Sequence, residues 1–292
     1  MNKNRFIRTT TKWLRRTAYV GTLLVSQTTF AEGVALGGAY SQFDDLFIVA
    51  TSSDADQNCT NLISTLGAVS IVGTVRLPPA TYNCQVSQVI VPSNVTLEGS
   101  GQLNTRITGL VAGGVVSVSQ FAEVNNLTVE AQVTNQGVVF AMKIFGNGAL
   151  NHVTVLAEGI NNIENTGVFV PDNSVGEIML SHVKVRASNG TSFSNGLRVP
   201  DADVILDGVD IEASNSPFAR GIFAGINSPT ITVRNSVVTG ASNAVFNSAN
   251  ATVNIADSQL VGGVNGTGTF KCFGVHNESF LGLDSACGPP PP

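Results

Sequence analysis

Five carboxylates crowd into the fifteen-residue run PDADVILDGVDIEAS: Asp201, Asp203, Asp207, Asp210 and Glu212. Lys184 and Arg186 stand 26 residues ahead of Asp210 and Glu212, respectively. Grouped carboxylates can hold Ca²⁺ or exchange a proton, and a guanidinium beside them can act as a base or grip an acidic sugar. On that reading Lys184, Arg186, Asp207, Asp210 and Glu212 are the candidate catalytic residues. The competing reading is a pair of cross-strand ion pairs that keep an exposed sheet soluble, each worth about 0.2–1 kcal/mol. Opposite charges that satisfy one another leave no carboxylate free for catalysis, so the ion-pair reading is preferred.

A second set is built for contact rather than proton transfer. Phe169, Arg198, Phe223 and Phe246 follow one another at intervals of 29, 25 and 23 residues, each just after an aliphatic residue: Val168, Leu197, Ile222 and Val245. With the aliphatics inward, the four point outward in one column. Exposed rings in a row are costly unless something covers them, which makes these the candidate binding residues. Three occupants come into question: a sugar face, a partner chain, or the protein's own N-terminal segment or tail. His152 and His182, 30 residues apart, also occupy one repeated position. Two stacked histidines can share a metal or serve as a base, but no third ligand stands beside them. They are expected to bond the turn backbone instead, and His276 reads as a surface residue; no metal site is expected.

These juxtapositions presuppose elements that repeat, and a repeat is present. LNHVTVLA from Leu150 aligns with LSHVKVRA from Leu180 and LDGVDIEA from Leu206. The same frame accepts VNNLTVEA from Val124, VRNSVVTG from Val233 and IADSQLVG from Ile255. A second ladder runs between them, with GVVF at Gly137, GVFV at Gly167, GLRV at Gly196, GIFA at Gly221 and AVFN at Ala244. Two ladders in phase mean at least two short strands per coil, each stacked on the same strand of the next coil. Steps of 22 to 30 residues suit one coil of a right-handed parallel β-helix. An α-solenoid would show a 3.6-residue period, and a propeller blade about 40 residues. Val153, Val155, Val183, Val185, Val209 and Ile211 are the expected core column. Asn126, His152, His182, Gly208, Asn235 and Asp257 share the turn position, where Asn and Asp can bond neighbouring turns and Gly supplies unusual backbone angles.

Residues 1–31 read as a secretory signal: six cations, an apolar run over 18–25, then TTFA ending at Ala31. That run is too short for a comfortable membrane span, and none is expected in the mature chain. Without the leader, the 15 Lys and Arg fall to 9 against 20 Asp and Glu, a balance of −11. Nine scattered cations offer no track for a phosphate backbone, so nucleic acid is not an expected partner. The four cysteines form two sequence pairs. In an exported chain an even count favours disulfides over zinc. The expected bridges are Cys59–Cys84 and Cys272–Cys287, with the two other connectivities open. The expected organisation is a signal over 1–31, an N-terminal extension over 32–55, a cap and first coils over 56–101, and β-helix coils over 102–265. A C-terminal cap and proline tail complete it over 266–292.

One stretch resembles a known superfamily. A short helix over 58–66, then GTVRLPPATY, then PSNVTLEGSG, is similar to the N-terminal entry of pectin-lyase-like β-helix proteins, which include pectate lyases, polygalacturonases and phage tailspikes. The resemblance implies an all-β right-handed solenoid with a capping helix, and Tyr82 packed inward in the first coil. It also implies that any polysaccharide chemistry takes place on an exposed sheet face. The hydrolases of that superfamily resemble one another in Asn-Thr-Asp, Asp-Asp, Gly-His-Gly and Arg-Ile-Lys runs. This chain has none in its coils, and its Asp44-Asp45 pair precedes them. The lyases resemble one another in Ca²⁺-binding acids beside a basic arginine, so Ca²⁺ enters only with a lyase reading; otherwise no cofactor is expected. The preferred reading is a secreted, extracellular or periplasmic β-helix protein that binds a glycan, a surface or a protein partner without catalysis, with oligomers open. The alternative is a polysaccharide lyase or glycoside hydrolase acting on an acidic glycan.

Overall fold

Short strands rich in valine, isoleucine and threonine, punctuated by Asn and Gly, stack best when like residues meet like. The computed structural model describes residues 40–289 apart from 44, 70, 173 and 226. The proposed leader, residues 32–39 and Asp44 lie outside these. The described chain is a right-handed parallel β-helix of about eight turns. In the middle coils each turn supplies three strands. One face is a sheet of eight parallel strands that includes Asn162–Phe169, Gly190–Val199, Phe218–Ala224 and Asn243–Asn247. A second face carries Glu177–Ser181, Asp203–Asp207, Thr230–Arg234, Thr252–Ala256 and Thr269–Phe273. The third carries Lys184–Ser188, Asp210–Ser214, Val237–Gly240 and Gln259–Val261.

The first sequence ladder is the observed register. Val124, Leu150, Leu180, Leu206, Val233 and Ile255 pair in succession. On the third face Val129, Val155, Val185, Ile211, Val238 and Leu260 form one row with no solvent exposure. Removing such a side chain from water contributes about 1.5–3 kcal/mol, and the row repeats that gain once per coil. The bend between second and third faces falls at the predicted turn position. There Asn126, His152, His182, Gly208, Asn235 and Asp257 all adopt left-handed backbone, with φ between 48° and 62°.

The second ladder needs one correction. Phe140 pairs with Thr166 and Met142 with Val168, so Ala141, not Gly137, stands opposite Gly167. A longer loop before this strand displaced the sequence alignment by four residues. In the true register Lys143 precedes Phe169 in the outward column.

The two ends are closed differently. The helix, longer than its expected core of 58–66, spans Ala55–Ala68 and starts at Asp54, whose side chain accepts from the N–H groups of Asp56 and Gln57. Cys59 on this helix is bonded to Cys84, and Leu62 and Leu66 are buried against the first coil. Tyr82 is fully buried and donates to the Pro78 carbonyl at 3.1 Å; burial pushes its phenol pKa up. Leu46–Val49 runs beside Gly73–Arg76 in parallel. The described part of the extension therefore joins the end of the stack and does not lie over the ring column. At the other end Cys272–Cys287 closes a loop that returns to the last coil through Cys272 N–H to Ser285 O and Leu283 N–H to Val275 O. Both disulfides match the expected pairing and are consistent with an extracellular or periplasmic location. Among the described residues no helix is long and apolar enough to cross a membrane.

Candidate functional site

The two candidate sets lie on different faces and do not converge. On the third face Lys184 pairs with Asp210 and Arg186 with Glu212, in the register read from the sequence. The ion pairing is diagonal as well as direct. Arg186 donates both Nη atoms to Asp210 at 3.1 Å and its Nε lies 3.0 Å from Glu212, while Lys184 reaches Asp210 only at 3.8 Å. Asp207, at the end of a second-face strand, accepts from Asn235 Nδ2 at 2.9 Å. These contacts occupy the carboxylates Asp207, Asp210 and Glu212. Among the described residues no group of three or more His, Cys, Asp and Glu side chains is placed to hold a metal ion.

His152 and His182 stack with ring centroids 4.8 Å apart and planes 6° from parallel. Their Nδ1 atoms meet Asn151 Oδ1 and Ser181 Oγ at 2.9 Å, so the partners are neighbouring side chains rather than the expected backbone. His276 is half-buried and stacks on Phe280 at 5.3 Å.

The eight-stranded face holds the richer arrangement. Lys143, Phe169, Arg198, Phe223 and Phe246 pair in order across five strands. Cations and rings thus follow one another at about 4.8 Å, the spacing of neighbouring strands. Phe223 and Phe246 stack at 5.8 Å and 6°, and the Arg198 guanidinium stands 5.5 Å from the Phe169 centroid. Beside this column run two that the sequence reading missed: Thr166, Asn195 and Arg220, then Glu164, Phe193 and Phe218. Their signal was present in the residues just before each ladder glycine, ENTG, FSNG and FARG. The ladder starts at each glycine, so these positions lie outside it.

Glu164, Asn195, Arg198, Arg220, Phe193 and Phe223 surround a pocket of about 200 Å³. Glu164 is 7% exposed. It accepts from Arg198 Nη1 at 2.9 and 3.0 Å, from Asn195 Nδ2 at 3.0 Å and from Thr166 Oγ1 at 2.8 Å. Arg220 has no carboxylate partner among the described residues. Its guanidinium lies 4.2 Å from the Phe246 centroid and 5.2 Å from that of Phe223, with Phe193 and Phe218 slightly farther. Burial lowers its pKa, Arg198 lowers it further, and Glu164 acts in the opposite sense. Arg220 Nε and Asn195 Oδ1 are buried without a hydrogen-bond partner in the protein. The pocket therefore carries two guanidinium charges against one carboxylate, and its polar groups do not satisfy one another.

No protein-family model matches the chain, and no curated protein sequence matches it. Solved structures do. Pectin methylesterase PemA from Erwinia chrysanthemi covers 86% of this chain and 94% of its own at a TM-score of 0.50 and 10% identity. The chain has the fold of that enzyme. An alginate lyase from a Paenibacillus species aligns over 80% of this chain at 0.48 and 11% identity. The A-module of a mannuronan C-5 epimerase from Azotobacter vinelandii aligns over 76% at 0.32 and 14%. At these identities the likeness is one of fold. The structural neighbours are carbohydrate-active β-helix enzymes.

Proposed function

We propose that this protein is an exported β-helix module that binds a glycan carrying negative charge along the Lys143–Phe169–Arg198–Phe223–Phe246 column, with Arg220 as its main unpaired cation, and does not cleave it. The observation that carries this reading is the imbalance of the pocket. Two guanidiniums face one carboxylate that is already held by three side chains, so an anionic substituent is accommodated while no free carboxylate remains for acid–base work. The rings supply flat apolar surface on either side for sugar faces. A site that mixes an apolar wall with a few convergent polar groups is the usual form of a small-ligand pocket. The neighbour named for pectin provides the first glycan to test.

The deciding experiment is calorimetric titration of the intact protein with de-esterified and esterified pectin hexasaccharides and with a neutral hexasaccharide. Reducing ends, unsaturated products and released methanol are assayed in parallel, with and without Ca²⁺. The expected result is preferential binding of the de-esterified chain, weakened about tenfold by Arg220→Ala or Phe223→Ala, with no product formed. Turnover abolished by Arg186→Ala or Arg220→Ala would establish the lyase or hydrolase alternative instead. Absence of saturable binding to all three would end the glycan reading in favour of a protein or surface partner.

A further inference from the structure

Nine cations follow the leader, and all nine lie within the described residues. Arg76, Arg106, Lys184, Arg186 and Arg198 are held by carboxylates. Lys143 and Arg220 stand over phenyl rings. Only Arg234 and Lys271 have neither kind of partner among the described residues, and both line one cleft of about 620 Å³ near the C-terminal end. That volume lies within the range of about 300–1,000 Å³ usual for small-molecule sites.

The floor of the cleft is the last part of the second face, on a different sheet from the Arg220 pocket. Arg234, Ala256 and Phe273 pair in succession, so a methyl group separates a guanidinium from a phenyl ring. Two strand spacings, about 9.6 Å, lie between those outer positions. One flat ring between two flat groups needs about 7 Å, at van der Waals contact of about 3.5 Å on each side. In the adjoining column Thr232, Asn254 and Lys271 pair in the same order, which brings the ammonium to the strand that carries Phe273. Ser285 and Ala286 wall the cleft, fixed by the Cys272–Cys287 bridge and the Cys272 N–H to Ser285 O bond at 2.9 Å. Of the carboxylates beside this lining, Asp207, opposite Arg234 on the neighbouring strand, accepts from Asn235, and Asp284 accepts from the N–H groups of Ala286 and Gly288 at 2.8 Å; Asp257, next to Ala256, lies against Gly274.

We propose that this cleft is a second, independent site for a small aromatic carboxylate, its ring between Arg234 and Phe273 and its carboxylate on Lys271. Cation–π contact from the guanidinium and stacking on the phenyl select a flat ring over a puckered one, and Lys271 selects the anion. The test is titration of the intact protein with 2-naphthoate, followed by NMR or calorimetry, beside the neutral analogue 2-naphthalenemethanol. The expected result is saturable one-to-one binding of the naphthoate, about tenfold weaker binding of the neutral analogue, and a loss of about tenfold in Lys271→Ala and in Phe273→Ala. Arg220→Ala should leave this binding unchanged, which separates the cleft from the glycan face. Because Arg234, Lys271 and Phe273 are all exposed, unchanged thermal melting of each variant will confirm an intact fold. Failure to saturate by 5 mM naphthoate, equal binding of the neutral analogue, or undiminished binding in Lys271→Ala would each overturn the proposal.

Discussion

Glu164 accepts hydrogen bonds from Arg198, Asn195 and Thr166, and its charge is compensated inside the protein rather than by water. Replacing it by glutamine keeps the shape and removes the charge, which leaves Arg198 and Arg220 facing each other across the pocket without a counterion. The expected cost is about 2 kcal/mol, below the usual range for a fully buried pair because the Arg198 side chain is 33% exposed. Urea denaturation of Glu164→Gln measures it. The same change should leave affinity for a de-esterified pectin hexasaccharide undiminished or increased, since the pocket becomes more positive; a large fall would mean that Glu164 contacts the ligand directly. Arg186 offers the contrast. Its carboxylate partners are 45% and 37% exposed, so water competes for each bond. Arg186→Ala is expected to shift stability by no more than about 1 kcal/mol and to leave glycan binding unaltered.

The coil itself explains why glycine marks the second ladder. Gly167, Gly196 and Gly221 sit where the eight-stranded face presses on the third face. A Cβ on Gly167 would run into the Val185 side chain and approach the Gly196 carbonyl oxygen to 2.8 Å; one on Gly196 would meet Ile211 and approach the Gly221 oxygen to 2.7 Å. Neither obstacle can move without shifting a strand, so Gly196→Ala is expected to destabilise by about 2–3 kcal/mol, read as a lowered urea midpoint. These glycines were visible in the sequence, as were the aliphatic rows and the register of Lys184 with Asp210. All of them follow from one period repeated along the chain, and a period can be counted. The Arg220 pocket was harder to read because its residues do not repeat in kind. Glu164, Phe193 and Phe218 share one column with three different roles, and Thr166, Asn195 and Arg220 share the next. Stacking equivalence predicts that such residues meet, but their chemistry emerges only once side-chain reach is known. The four-residue displacement at Gly137 has a related cause. A longer loop preserves the glycine motif while moving it out of register, and only backbone pairing reveals which residues stand opposite.

At the scale of the molecule, each coil touches chiefly the coils before and after it, so stability is a sum of neighbour terms and the ends are the weak points. The N-terminal end is covered by a helix that buries Leu62 and Leu66 and is anchored by Cys59–Cys84. The C-terminal end has no helix in its described part. Its strands Val264–Gly266 and Thr269–Phe273 are only partly buried or exposed, and the segment over 274–289, which includes the short strand His276–Asn277, closes the end through a few backbone bonds and the Cys272–Cys287 bridge. By the chain-entropy estimate each bridge contributes about 3 kcal/mol, but the consequences of losing them differ. Opening Cys59–Cys84 leaves the helix packed on an apolar surface. Opening Cys272–Cys287 releases the loop whose packing and hydrogen bonds otherwise hold the last coil shut, so unwinding can begin there without disturbing the middle of the stack. Amide exchange by mass spectrometry should therefore show slow, unchanged protection across Val155, Val185 and Ile211 when Cys272 and Cys287 are both replaced by serine. Segments 264–277 should exchange at least about tenfold faster in that variant, and the cleft walled by Ser285 and Ala286 should lose its naphthoate affinity with them. If protection falls evenly along the whole chain instead, the solenoid unfolds as one cooperative block, and the picture of coils held only by their neighbours does not describe this protein.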